Sequence, residues 1–152
     1  MYSSLLILHS LFRWVVLASL LYALVRAFRG YTTRMAFTPT DNAVQCRTAT
    51  FAHIQLTLGF TLYFISPLIS AFRQQGIRGG RQLVFFGLAH SGLMLLSVVF
   101  ITIGSALARR QPAERAKFRT LLIWFCLGLL IMLLAIPWPF SPFANRPYIR
   151  PF

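Results

Sequence analysis

The chain of 152 residues is poor in acid, holding two carboxylates, Asp41 and Glu114, against fifteen Lys and Arg. Charged residues of either sign make up 11% of it. A soluble domain carries about 25%, so a water-facing surface cannot be built from so few. Both carboxylates fall in the links between apolar runs, which argues against a proton pump or cation transporter built on an intramembrane acid. The two cysteines, Cys46 and Cys126, make no disulfide framework and no CxxC motif, and read as packing residues. A glycine-rich phosphate loop, an HExxH pair and a zinc constellation are all missing.

What the chain has is apolar surface, at 57% of residues, too much for a disordered polymer. A net charge of +13 would suit nucleic acid if it lay on one face. Here the basic residues stand between long apolar runs, which is the pattern of a membrane protein with basic loops. The expected partner is therefore the lipid bilayer, and no nucleic acid. Four runs stand out, at 5–25, 48–72, 83–108 and 121–136. Each is long enough to cross a bilayer, which takes roughly 20 residues, although the fourth needs Phe118 and Trp138 to reach full length. The sequence thus predicts an all-α polytopic membrane protein, a single domain of four transmembrane helices. The spans lie at about 4–26, 47–72, 82–108 and 118–138, followed by a proline-rich interfacial tail over 139–152.

The links carry their own signals. Thr38-Pro39-Thr40-Asp41 predicts a helix start near Asn42, at the interface. Residues 74–80, with three glycines, predict a short flexible loop. Gln111-Pro112-Ala113-Glu114 places Pro and Glu where a helix start tolerates both. Pro137 stops the last run, and with Pro139, Pro142, Pro147 and Pro151 the tail is expected to lie extended. Residues 1–4 carry no positive side chain and the first run is long, so it is not expected to be a cleaved signal peptide. The links after the first and third runs hold nine Arg and Lys, from Arg26 to Arg47 and from Arg109 to Arg119. The other side holds five, Arg73, Arg78, Arg81, Arg146 and Arg150. That difference predicts both termini outside.

Polar residues inside a span are expensive without a partner. All three histidines fall within predicted spans, as does Arg13. His9 and Arg13, at i and i+4, share one helix face. His9 lies seventeen residues before Arg26 and His90 nineteen before Arg109. At a helical rise of about 1.5 Å those spacings put the two rings roughly 25 and 28 Å above the same basic edge. His53 is six residues after Arg47, roughly 9 Å from that edge. Two imidazoles at one depth on two helices of a bundle are what a haem with two histidine ligands requires. His9 and His90 are the candidate axial ligands of at least one haem b. Gly87, Ser91 and Gly92 would let either a flat ring or a neighbouring helix approach.

Arg13 has no acid at its own level. Its counter-charge could be a backbone carbonyl, a headgroup phosphate reached by snorkelling, a haem propionate or a quinone oxygen. His53 has no second His at its depth, and Gln55 is expected to point elsewhere. It could be a second haem ligand paired across a homodimer, a proton acceptor in a quinone site, or a hydrogen-bonded structural residue. Trp138 reads as an interfacial anchor.

The segments His9-Ser10-Leu11-Phe12-Arg13-Trp14, Ala52-His53-Ile54-Gln55, Leu62-Tyr63-Phe64-Ile65-Ser66-Pro67 and Ala135-Ile136-Pro137-Trp138-Pro139-Phe140 resemble those of small four-span bacterial proteins commonly labelled "cytochrome b". So does Ala89-His90-Ser91-Gly92-Leu93-Met94 with Ile101-Thr102-Ile103-Gly104, although members often carry an acid where Ala89 stands. The resemblance implies a b-type haem protein of the bacterial cytoplasmic membrane. It would carry electrons between the quinone pool and a partner redox protein, beside other membrane redox subunits or as a homodimer. An electron-transfer subunit is expected rather than a self-contained enzyme. The competing expectation is a haem-free accessory or structural subunit of a larger membrane complex, with its His and Arg13 serving as interhelical hydrogen-bonders or lipid contacts.

Overall fold

The computed structural model describes residues 1–140 and residue 144, and the described residues are helical with no strand. Helix α1 (Tyr2–Thr33) runs through the first apolar stretch and on through Arg26 and Arg29. It ends where Arg34 takes a left-handed conformation, φ 53°, whose N–H returns to the Gly30 carbonyl. Helix α2 (Pro39–Ile65) begins earlier than the sequence predicts. Thr38 is its N-cap, with Pro39 in the first turn, and the Asp41 carboxylate accepts from the Thr38 N–H at 2.9 Å. Asp41 is thus a buried first-turn helix residue, not a loop residue, and Arg26 Nε donates to its Oδ1 at 2.8 Å.

The second apolar run does not form one straight helix. Pro67 has no N–H to continue the ladder, and the residue before a proline is pushed to extended backbone. Ser66 accordingly sits at φ −73°, ψ 128°. Helix α3 (Pro67–Gln75) then leaves at 60° to α2. The glycine-rich segment expected as a loop is a 3₁₀ turn, Gly76–Gly79, entered at Gly76 (φ 59°) and left at Gly80 (φ 94°). Both angles suit only glycine without strain.

Helix α4 runs unbroken over Arg81–Arg110 and contains a π-helical segment at Phe85–His90. Helix α5 (Glu114–Ala135) starts with Glu114 in its first turn and stops before Ile136 and Pro137. Helices α1, α4 and α5 are each long and apolar enough to cross a membrane, whereas α2 qualifies only together with α3 as a bent pair. Large apolar side chains cover the outside, among them Val25, Phe28, Phe64, Leu88, Leu130 and Leu134. Apolar surface on that scale belongs in lipid. Of the prolines expected to keep the tail extended, Pro142, Pro147 and Pro151 lie outside the described residues, as does most of 139–152.

The four long helices are antiparallel in sequence order and close into a ring: α1 packs on α2 and α5, and α4 packs on α2 and α5. Helices α1 and α4 therefore face each other across the diagonal. The basic half is packed solid, with Leu20, Ile101, Phe118 and Phe125 fully buried. Its glycines are close-approach points: a Cβ on Gly30 would meet the Phe118 ring, and one on Gly104 would meet Trp124. Beyond Val16, Val98 and Met132 the helices part and the core gives way to a cavity.

Candidate functional site

The cavity has a volume of about 740 Å³ and is walled by all four long helices and the start of α3. That volume lies within the range of small-molecule and cofactor sites, about 300–1,000 Å³. Its lining is mostly aliphatic and aromatic, with His9, Arg13, Gln55 and His90 among the few polar groups. His9 from α1 and His90 from α4 meet there, ring centres 6.4 Å apart and planes inclined at 72°. The helical-rise estimate of a shared depth thus corresponds to a direct pairing across the bundle diagonal.

His90 sits at the end of the π segment, a feature that recurs at functional sites. The wider turn carries the Gly87 carbonyl to the Tyr63 hydroxyl, which donates to it at 3.1 Å. His90 Nδ1 lies 2.8 Å from the Ala135 carbonyl oxygen. A carbonyl only accepts, so Nδ1 carries the proton and Nε2 is left as a bare lone-pair donor. A metal-ligating histidine takes the same form, its second nitrogen held by a carbonyl or carboxylate.

The three small residues near His90 divide between the two roles expected of them. Gly87 serves helix packing, since a Cβ there would strike the Phe72 ring of α3. Ser91 and Gly92 line the cavity, and a Cβ on Gly92 would meet nothing within 4 Å.

Arg13 lines the same cavity one turn from His9, its guanidinium 5.2 Å from the Trp14 ring centre. Trp14 in turn meets Trp138 at 6.3 Å, and Trp138 Nε1 donates to the Leu133 carbonyl at 2.8 Å. His53 is not part of the site. It lies exposed on the outer face of α2, Nε2 2.9 Å from Thr102 Oγ1. Thr102 gives its own proton to the Val98 carbonyl at 2.7 Å, so His53 donates and Thr102 accepts. What separates His53 from the pair is the face of the helix more than the depth, because Gln55, two residues on, touches His9.

Gln55 is the residue that sequence reasoning set aside. Its Nε2 donates to the His9 carbonyl at 2.9 Å and lies 3.4 Å from His9 Nε2. The available signal was its amide in mid-helix, which needs a partner in an apolar surrounding. Cys46 and Cys126 are both free thiols. Among the described residues no cluster of three or more His, Cys, Asp or Glu is present, so a metal held here would depend on the His9–His90 pair and a ligand of its own. Comparison of the chain with protein-family models, curated proteins and solved structures finds no match.

Proposed function

We propose that this protein is a b-type haem protein of the membrane, in which His9 and His90 would hold the haem iron. The observation that carries the reading is the His9–His90 pair, facing across the diagonal over one cavity with ring centres 6.4 Å apart. Two metal–imidazole bonds of about 2 Å each, with the two ring radii added, require ring centres about 6 Å apart. The donor set fits as well. His90 offers an Nε2 lone pair, and His9 Nε2 has only a long 3.4 Å contact with Gln55 Nε2.

When bound, the haem supplies one-electron chemistry. The chain's own residues supply the rest. The Ala135 carbonyl fixes the His90 tautomer, and the mostly aliphatic and aromatic walls would give the ring an apolar surround. Arg13 places a positive charge at the cavity wall, where a propionate would find its counter-ion. We further propose that the helices, counting α2 with α3, make four spans, and that both termini lie on the periplasmic side of a bacterial cytoplasmic membrane. Nine basic residues in the links at the packed end against five on the other side support that orientation. The partners in this reading are the quinone pool and another redox protein.

A second reading, a haem-free accessory subunit, draws support from the interhelical hydrogen bonds His53–Thr102 and His90–Ala135. Membrane helices use polar side chains in that way. Histidine variants separate the two. If the pair ligates iron, His9→Ala and His90→Ala each abolish the low-spin haem spectrum; a spectrum kept by either variant defeats the assignment.

A further inference from the structure

We propose that Gln55 and Gly59 of α2 are the positioning residues for His9, and that Gln55 selects the ring tautomer in which Nε2 carries no proton. The proposal builds on the haem reading for its ligand, but its geometry belongs to the protein alone.

An amide nitrogen has two hydrogens and no lone pair to offer. One Gln55 hydrogen goes to the His9 carbonyl at 2.9 Å. The other faces His9 Nε2 at 3.4 Å, so this ring nitrogen is the acceptor and the proton sits on Nδ1. The bond is long and weak by ordinary standards. A stronger Lewis acid can displace it while Gln55 keeps its grip on the backbone.

Gly59, one turn after Gln55 on the same face, completes the seat. A Cβ there would stand 3.3 Å from His9 Cε1 and 3.8 Å from Nδ1, so the ring lies directly against the α2 backbone. Two polar atoms at this contact, His9 Nδ1 and Gln55 Oε1, are buried without hydrogen-bond partners among the described residues. Native interiors rarely leave such groups unmet. The ring's position is therefore set by its packing on Gly59 and by the Gln55 amide, and not by a hydrogen bond of Nδ1 among the described residues.

The result is symmetrical in chemistry though not in means. The Ala135 carbonyl accepts from His90 Nδ1, and the Gln55 amide donates toward His9 Nε2. Both place the proton on Nδ1, so in each of the two rings Nε2 is the nitrogen that keeps the lone pair.

The test is a long-range ¹⁵N–¹H spectrum of the detergent-solubilised full chain, labelled with ¹⁵N-histidine and free of haem. The expected spectrum has His9 and His90 both as the Nδ1–H tautomer. Gln55→Leu shifts His9 to the Nε2–H form or a mixture and leaves His90 unchanged, which also reports that the bundle is intact. A native His9 in the Nε2–H form overturns the proposal, as does a Gln55→Leu spectrum identical to the native one. If Gln55→Leu does not fold, the native spectrum and Gly59→Ala decide, the latter moving the His9 resonances and not those of His90.

Haem titration then separates this inference from the reading beneath it. Where the native chain binds haem, Gln55→Leu weakens binding by about 10–100-fold. Where the native chain binds none, the cofactor assignment falls, and the tautomer measurement still decides the role of Gln55.

Discussion

Arg26 Nε and Asp41 Oδ1 lie 2.8 Å apart, tying the basic end of α1 to the first turn of α2. Burial alone would push the Asp41 carboxyl upward. The Thr38 hydroxyl, the Arg26 guanidinium and the Thr38 N–H outweigh it and hold the group below the usual carboxylate value. A carboxyl depressed in the folded state stabilises fully above its unfolded value of about 3.9 and loses that contribution as pH falls through the folded value.

Removing this carboxylate breaks both the capping box and the ion pair. Asp41→Ala is expected to cost about 1–3 kcal/mol in thermal unfolding of the detergent-solubilised protein. The difference from the native chain should shrink as the pH is lowered below about 4. A difference that stays constant from neutral pH downward would contradict the assignment.

The same pair explains what could and could not be seen in the sequence. Hydropathy located the apolar runs, because lipid demands about twenty apolar residues whatever the packing. Counting helical rise from Arg26 and Arg109 brought His9 and His90 to one level, because both helices run unbroken from those residues to the rings. On α2 a rise counted from Arg47 places His53 too near the basic end, because Asp41, six residues earlier, is what meets Arg26. Gln55, expected to point elsewhere on the helix, turns instead to the His9 carbonyl. The bend at Ser66–Pro67 was also hidden, since the apolar run continues through it to Phe72. The seating of a ring by Gln55 and Gly59 depends on which α2 face turns inward, and α2 carries polar residues on its buried and exposed faces alike, Thr48 on the first and His53 and Thr57 on the second.

The contrast between the two halves of the bundle can be measured with glycines. Gly104→Leu forces a side chain into Trp124 and is expected to destabilise by about 1–3 kcal/mol. Gly92 faces open space in the cavity, so Gly92→Phe should leave the unfolding temperature near the native value and, on the proposed reading, block haem uptake. Equal destabilisation by both would mean that the cavity half is packed like the rest.

Arg13 sets the charge at the cavity wall. Positive charge near a haem favours its reduced, less positive form, so on the proposed haem reading Arg13→Gln is expected to lower the midpoint potential and weaken haem binding. Arg13→Lys should restore part of the potential shift. Potentiometric titration of the three proteins checks this, and an unchanged potential in Arg13→Gln would remove Arg13 from the site.

His53 lies outside the cavity. His53→Ala should retain the full haem content and cost no more than about 1 kcal/mol, the scale of one interhelical hydrogen bond in a membrane. Loss of haem from this variant equal to that from His9→Ala would show a second site on the outer face of α2.

The most direct measurement is a dithionite-reduced minus oxidised spectrum of the detergent-purified chain, with pyridine haemochrome quantification. Ligation by His9 and His90 predicts a b-type reduced band and about one haem per chain, as one pair of axial ligands allows. A colourless protein purified from haem-replete cells would contradict it.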